Sequence, residues 1–159
     1  MKKPAFPGLF VLSGLVLLLD RLTKAFVHQA PWHEPVVVIP GFLQLVKVWN
    51  VGLAFGTFSE ASARLMNPLI VGLGLVAVGW LMYLLLFSKP CALIAVSFHL
   101  LLAGAAGNIW DRLRYGAVLD FLDFHIGVHH WPCFNISDSA ITVGLALLIW
   151  DMVIHKDKT

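Results

Sequence analysis

Charged side chains are scarce in this chain of 159 residues, of which 13% are charged and 59% are hydrophobic. Soluble domains contain about 45–50% apolar and about 25% charged residues, so the composition excludes an ordinary soluble domain. The formal net charge of +2 is too small to indicate a nucleic-acid-binding surface. A helix that crosses a membrane needs roughly 20 apolar residues. The composition therefore predicts a single integral membrane domain over residues 1–159.

Cysteines are also few, and the common hydrolase motifs are absent. The two cysteines, Cys91 and Cys133, have neither metal-site spacing nor the arrangement of a disulfide framework. The sequence contains no Gly-x-Ser-x-Gly motif and no His-Glu-x-x-His motif. These absences disfavour a serine hydrolase and a zinc peptidase, and we expect no cofactor and no metal.

Four apolar segments predict transmembrane helices at about 6–28, 67–87, 91–113 and 137–154. Asn67 and Pro68 are typical of a helix start, so the second helix is expected to begin there. Between the first two helices, Val36–Ile39 precedes Pro-Gly, and Leu43–Trp49 alternates between apolar and polar residues. This pattern predicts a small antiparallel sheet. Residues 114–135 are expected to form a loop.

The lysines indicate an orientation in the membrane. One face of the predicted four-helix bundle carries Lys2, Lys3, Lys89, Lys156 and Lys158. Because positive residues accumulate on the cytoplasmic side, this bias favours a cytoplasmic location for both termini.

Five aspartates gather at the opposite face. In an up-down-up-down bundle, Asp20 near the end of the first helix meets Asp111 at the end of the third. Asp138 opens the fourth helix, and Asp120 and Asp123 lie in the loop that precedes it. Ionisable groups in a membrane are costly, so this cluster predicts a functional site.

Asp120 and Asp138 have the chemistry of a catalytic pair. Two carboxylates held close together cannot both ionise, so one can activate water while the other protonates a carbonyl oxygen. The helix dipole favours the charged form of Asp138, and the apolar neighbours of Asp120 suit a protonated carboxyl. Taken singly, Asp138 is typical of a helix cap and Asp120 of a solvated loop acid. Their coincidence at one face favours catalysis.

Asp20 and Lys24 lie four residues apart on one helical face, with the acid first. This spacing is typical of a structural ion pair. We therefore interpret the pair as a brace for the site.

Further polar residues surround this cluster. Asn50 and Gly52 can form a plain turn or bind a substrate backbone. Gly104, Asn108 and Asp111 form one stripe on the third helix. The stripe is consistent with tight polar packing between helices or with the orientation of a neighbouring catalytic group.

The histidines raise the question of a metal site. His129 and His130 have Asp123, His125 and Cys133 nearby in the sequence. Adjacent histidines point in different directions in a helix or a strand, and no helical His-x-x-x-His occurs here. We interpret these residues as interfacial histidines rather than metal ligands.

The whole pattern resembles the lipoprotein signal peptidase family, also called signal peptidase II. The resemblance rests on five blocks in the family's order, which are Asp20–Lys24, Asn50–Phe55, Gly104–Arg112, Val118–Phe121 and Phe134–Asp138.

The resemblance implies an aspartic endopeptidase of the bacterial inner membrane. Such an enzyme removes the signal peptide from diacylglyceryl-modified prolipoproteins by cleaving before the lipidated cysteine. The positions that match the catalytic dyad are Asp120 and Asp138. The matching supporting and substrate-binding positions are Asp20, Lys24, Asn50, Gly52, Asn108, Asp111, Arg112 and Asn135.

The resemblance also implies an architecture and a set of partners. The fold would be an all-α membrane protein with four transmembrane helices and a small extracytoplasmic β-sheet cradle. Both termini would be cytoplasmic, and the active site would lie at the periplasmic face. The partners would be the lipidated substrate, membrane lipids and a globomycin-like cyclic depsipeptide as inhibitor, but no nucleic acid.

A small membrane transporter or proton channel is the alternative function. It would use the interfacial carboxylates as part of a proton relay, which needs titratable groups through the membrane. The middles of the predicted spans are nearly bare, with His99 as the main exception. A structural subunit held together by Asp–Arg pairs is a third possibility, but it leaves the Asp120/Asp138 coincidence unexplained.

Overall fold

The computed structural model describes residues 7–52 and 60–154. The elements follow a short 3₁₀ turn and are, in chain order, α1 Phe10–Gln29, β1 Val36–Ile39, β2 Leu43–Asn50, α2 Glu60–Phe87, α3 Ala92–Tyr115, β3 Val118–Ile126, β4 His129–His130 and α4 Ile136–Ile154. The start of the predicted first helix, the end of the Asn50–Phe55 block and four of the five orientation lysines lie outside the described residues.

The protein is mostly helical. Within the described ranges, three helical segments are long and apolar enough to cross a membrane, namely Met66–Phe87 of α2, α3 and α4. The 20-residue helix α1 carries three charged residues, Asp20, Arg21 and Lys24, in its second half. A fourth crossing through α1 therefore stays a prediction.

Helix α2 begins at Glu60, so the prediction that Asn67 and Pro68 start this helix is wrong. Pro68 lies inside the helix, where it removes a single backbone hydrogen bond. The Asn67 side chain instead reaches α3, where its Nδ2 donates to the backbone oxygen of Arg112 at 3.3 Å.

The four strands form one antiparallel sheet in the order β1-β2-β3-β4. The small sheet expected from Val36–Ile39 and the following alternating residues is present as β1 and β2. Residues 118–126 were expected to be a loop, but they form β3, which pairs with β2 from Leu43↔Phe124 to Asn50↔Val118. The Asp120 and Asp123 carboxylates therefore project from a paired strand, which positions them more firmly than a loop would.

Glycines allow α3 and α4 to approach closely. A Cβ atom at Gly104 would collide with the backbone oxygen of Ser137, and one at Gly144 would lie 2.9 Å from Leu101 Cγ. Small residues let neighbouring helices in a membrane pack backbone to backbone. This contact sets the position of the first turn of α4, which carries Asp138.

The contact predicts that Gly104→Ala destabilises the protein. The added methyl group meets backbone atoms that cannot move independently of α4, and overpacking of this kind costs about 1–3 kcal/mol. Thermal unfolding of the purified protein in detergent should show a lower midpoint. Gly72→Ala in α2 is the matched control because no atom lies within 4 Å of the place that its added methyl group would occupy. Equal midpoints for the Gly104 variant and the wild type would contradict the close packing of α3 against α4.

Candidate active site

Asp120 lies in β3, opposite Val48 of β2, and its side chain is buried. Two amides donate hydrogen bonds to its carboxylate. Asn50 Nδ2 donates to Oδ2 at 3.0 Å, and Asn135 Nδ2 donates to Oδ1 at 2.7 Å. The β2–β3 register and the start of α4 together hold this carboxylate in one orientation.

Asp138 lies in the first turn of α4 and takes part in a reciprocal cap. Its backbone N–H donates to Asn135 Oδ1 at 2.9 Å, and its Oδ2 accepts from the Asn135 backbone N–H at 3.2 Å. This exchange has the form of a capping box, with Asn135 immediately before the helix. Asn108 Nδ2 donates to the other oxygen, Oδ1, at 2.7 Å. Asp138 is thus a helix cap and, at the same time, a carboxylate oriented by α3.

Asn135 connects the two carboxylates, since its side chain donates to Asp120 and its backbone N–H donates to Asp138. Burial raises the pKa of Asp120 from 3.8 to about 6, and the charge of Asp138 adds to this rise, while hydrogen bonds from Asn50 and Asn135 oppose it. A buried carboxyl beside a second acid can retain its proton at a pH where an ordinary aspartate is ionised. The pair can therefore hold one proton between two carboxyl groups.

A network of four charged residues lies next to this pair. The Asp20 carboxylate contacts Arg21 at 2.5 Å and Lys24 at 3.0 Å, as the Asp20–Lys24 spacing predicted. Asp111 contacts Arg21 at 2.5 Å and Lys24 at 2.8 Å. Both ion pairs of Asp111 are with residues of α1, because the two basic side chains cross from α1 to α3.

The network also reaches α4 and Asn108. The fully buried Asp20 accepts a hydrogen bond from the Ser137 backbone N–H at 3.0 Å. Lys24 Nζ donates to Asn108 Oδ1 at 3.4 Å, and the amide nitrogen of the same Asn108 donates to Asp138. Arg21 was not among the site residues expected from the sequence, although a second basic residue within an otherwise apolar helix is the signal that could have identified it.

Asn50, Gly52 and Arg112 meet on another side of the pair. The Gly52 backbone has φ +86°, and its N–H donates to Asn50 Oδ1 at 2.8 Å. A Cβ atom at Gly52 would lie 3.1 Å from both terminal nitrogens of Arg112. Arg112 Nη1 is buried and has no hydrogen-bond partner in the part of the chain that the structure describes. A planar guanidinium with an unused donor can bind a carbonyl oxygen of a ligand.

Asp123 does not join the Asp120–Asp138 pair. Residues three apart in a strand project from opposite faces, so Asp123 and Asp120 point away from each other. The Asp123 carboxylate accepts hydrogen bonds from Gln44 at 2.6 Å and from His130 at 2.9 Å. Burial raises the pKa of Asp123, but these hydrogen bonds, together with the charges of His130 and His125, lower it by more, so the net pKa is below its usual value. Asp123 is thus set up as a charged acceptor and not as a proton carrier.

Comparison with known proteins connects this arrangement to one family. The family model described as signal peptidase (SPase) II matches residues 12–154. The lipoprotein signal peptidase of Syntrophus aciditrophicus (strain SB) is 42% identical, and the match covers 99% of this chain and 98% of that protein. The lipoprotein signal peptidase of Azoarcus sp. (strain BH72) is 41% identical, with 94% of this chain and 86% of that protein covered.

Solved structures show the same similarity. A bacterial membrane enzyme solved at 2.3 Å superimposes with a TM-score of 0.85 at 29% identity, which covers 100% of this chain and 96% of that one. A second, solved at 1.9 Å, gives a TM-score of 0.81 at 31% identity, with 96% of this chain and 97% of that one covered.

The raised pKa of Asp120 predicts a pH dependence of stability. Between pH 3.8 and about 6 the folded protein holds a proton that the unfolded chain has released. Stability conferred by Asp120 therefore falls as the pH rises through this window. The quantity to measure is the unfolding midpoint of Asp120→Asn minus that of the wild type. We expect this difference to be larger at about pH 7 than at about pH 4, because asparagine does not ionise. A difference that does not change with pH would contradict the raised pKa.

Proposed function

Because the chain belongs to the signal peptidase II family, we propose that it is an aspartic endopeptidase that removes the signal peptide from diacylglyceryl-modified prolipoproteins. Cleavage occurs just before the lipidated cysteine. The observation that carries the proposal is the double contact of Asn135, which bonds to Asp120 through its side chain and to Asp138 through its backbone. The transporter alternative has no comparable support, since the relatives are peptidases.

In the proposed mechanism the two carboxyl groups divide the proton transfers. Asp138 accepts hydrogen bonds from the Asn108 side chain and from the Asn135 backbone N–H, which orient its carboxylate as the base toward water. Asp120, with a pKa raised to about 6, donates a proton to the scissile carbonyl oxygen. Asp138 removes a proton from the water, whose oxygen adds to the carbonyl carbon. The tetrahedral intermediate then collapses as Asp138 gives this proton to the leaving nitrogen and a hydroxyl of the intermediate returns a proton to Asp120.

The remaining site residues support this chemistry in two ways. Asn108 and Asn135 orient the two carboxylates. The charged network of Asp20, Arg21, Lys24 and Asp111 holds the helices next to them. Asn50, Gly52 and Arg112 form the substrate-binding group. There the glycine allows a peptide backbone to approach, and Arg112 Nη1 binds a carbonyl oxygen.

An apolar cavity beside Asp138 suits the lipid-modified part of the substrate. The cavity has a volume of about 300 Å³ and is lined by Trp131, Phe134, Asp138, Ser139, Thr142 and Val143. A substrate anchored in the bilayer can enter it sideways between apolar surfaces and reach the carboxylate at the helix end. A globomycin-like cyclic depsipeptide would inhibit by occupying the same space.

The exposed surface of α1 supports a fourth transmembrane helix. Leu15, Leu18, Leu22 and Phe26 are each more than half exposed, whereas Asp20 and its ion partners lie on the inner side. Apolar residues outside and charges inside are the arrangement expected in lipid. We place all four helices in the bacterial inner membrane, with both termini in the cytoplasm, the sheet and the catalytic pair at the periplasmic face, and membrane lipids around the bundle.

The dyad assignment predicts that Asp120→Asn and Asp138→Asn each reduce cleavage below detection. A positioned acid or base contributes about 10²–10⁴-fold, and each variant removes one of the two. The measurement is the appearance of the shortened product when purified protein in detergent is incubated with a lipidated prolipoprotein. Both variants should retain a cooperative thermal transition.

Asp123→Asn is the matched control for this experiment. It makes the same chemical change in the same strand, but on the opposite face of the sheet, so substantial cleavage should remain. Turnover by either dyad variant would refute the assignment. If Asp123→Asn loses activity and Asp120→Asn keeps it, the role of the acid belongs to Asp123 and not to Asp120.

The proposed orientation predicts which positions are reached from outside the cell. In a background without native cysteines, a membrane-impermeant thiol reagent applied to intact spheroplasts should label a cysteine placed at Lys47 or His129. It should not label a cysteine placed at Lys89 or Lys158, because the lysine bias puts these on the cytoplasmic side. The reverse labelling pattern would place the catalytic pair in the cytoplasm.

A further inference from the structure

Three side chains of types that bind metal ions lie close together where β3 pairs with β4, on the face of β3 opposite to Asp120. Asp123 and His125 lie two residues apart in β3, so they project from the same face. His130 of β4 is the cross-strand partner of His125. Directly opposed residues in an antiparallel pair have neighbouring side chains, and the three residues therefore form one cluster.

The contacts within the cluster are short. His130 Nδ1 lies 2.9 Å from each carboxylate oxygen of Asp123, and the rings of His125 and His130 stack with their centroids 4.9 Å apart. One potential ligand atom from each residue lies within 4.8 Å of the other two. Two nitrogens and one oxygen bound to a single tetrahedral ion at about 2.0–2.2 Å lie about 3.4 Å apart. The side chains would therefore have to rotate, and the stacked rings to turn, so that both nitrogens face one ion.

The surroundings of the cluster point to a ligand. His125 Nδ1 is buried and has no hydrogen-bond partner among the described residues, although buried polar atoms are normally paired. Gln44 Nε2 donates to Asp123 Oδ2 at 2.6 Å, and such a partner orients a metal-binding carboxylate. The His130 side chain is 48% exposed, so an ion can enter and keep a water ligand.

We propose that Asp123, His125 and His130 form a binding site for a divalent transition-metal ion, with Zn²⁺ as the ion that this ligand set fits best. Two imidazoles and one carboxylate are a common three-residue ligand set for zinc, and water fills the fourth position. The ion would replace the proton that His130 Nδ1 donates to Asp123 and would provide a partner for His125. The site is separate from the catalytic pair because Asp120 projects from the other face of β3.

The proposal revises the expectation that the chain has no metal site. That expectation rested on His129 and His130, which do point in different directions as neighbours in β4. The relevant pair is His125 with His130, which only the strand register brings together. Because β4 has only two residues, a metal link to β3 would stabilise the attachment of the segment that leads to Trp131 and the apolar cavity.

Isothermal titration calorimetry tests the proposal by measuring Zn²⁺ binding to the untagged full chain in detergent, after treatment with a chelator. We expect one saturable equivalent per chain and a rise in the thermal unfolding midpoint with added Zn²⁺. Binding should weaken by at least about tenfold in each of His125→Ala, His130→Ala and Asp123→Asn. Loss of a residue that only hydrogen-bonds to a metal ligand already weakens metal binding by about 10–100-fold. Co²⁺ in place of Zn²⁺ should give visible absorption bands that His130→Ala removes.

His129→Ala is the matched control, since it removes the neighbouring histidine that the cluster does not include. Its affinity for Zn²⁺ should equal that of the wild type. His130→Ala decides the matter if the more buried positions do not tolerate substitution, because its side chain is half exposed. Absence of saturable binding, or equal affinities for the wild type and His130→Ala, would overturn the proposal. A loss of Zn²⁺ affinity in His129→Ala as large as that in His130→Ala would overturn it as well.

Discussion

The pairing of two acids with two bases between α1 and α3, three of them buried, is the constraint on which the rest of the structure depends. Asp20 and Asp111 each contact both Arg21 and Lys24, so two acids and two bases neutralise one another between α1 and α3. An unpaired charge in this place would be very unfavourable, and removal of one partner from a buried pair costs about 3–5 kcal/mol. The helices must therefore keep the relative positions that allow all four contacts. Since Asp20 also accepts the Ser137 backbone N–H, the same constraint fixes where α4 begins.

The position of α4 matters for the proposed chemistry because Asp138 belongs both to the cap of this helix and to the proposed catalytic pair. Asn135 and Asp138 exchange hydrogen bonds across the first turn, and the side-chain amide nitrogen of Asn135 donates to Asp120 in β3. Helix, strand and network thus meet at one asparagine. The function that we propose needs its two carboxylates at the membrane surface, where the peptide bond and water meet, and residues at helix ends can lie at that depth. A helix cap holds the Asp138 carboxylate, and a paired strand holds that of Asp120.

Strand β3 separates two different uses of aspartate. On one face Asp120 is buried beside a second acid, and its pKa rises to about 6. On the other face Asp123 accepts hydrogen bonds from Gln44 and His130, and its pKa falls below the usual value. Two residues of the same type, three positions apart, therefore differ in protonation because the pleat sends them into different surroundings. The proton-carrying and the ion-binding roles that we propose follow from this alternation.

The sequence by itself determined the features that depend on composition and local spacing. Long apolar runs specify helices, the alternation after Ile39 specifies β2, and the ordered polar blocks identify the family and predict the two residues that we propose as the dyad. The spacing of Asp20 and Lys24 also predicted their contact. These features depend on interactions between residues close in the chain, which a single sequence displays directly.

Only the tertiary structure decided which distant residues meet. The start of α2 at Glu60, the strand β3, the contacts of Arg21 with Asp111 and the pairing of His125 with His130 all depend on helix packing or strand register. In β3 the chain is buried on both faces, so it lacks the clear alternation by which an exposed strand is recognised. Register is set by the summed pairing of whole strands and packing by the shapes of whole helices, and neither quantity is contained in the spacing of a few residues.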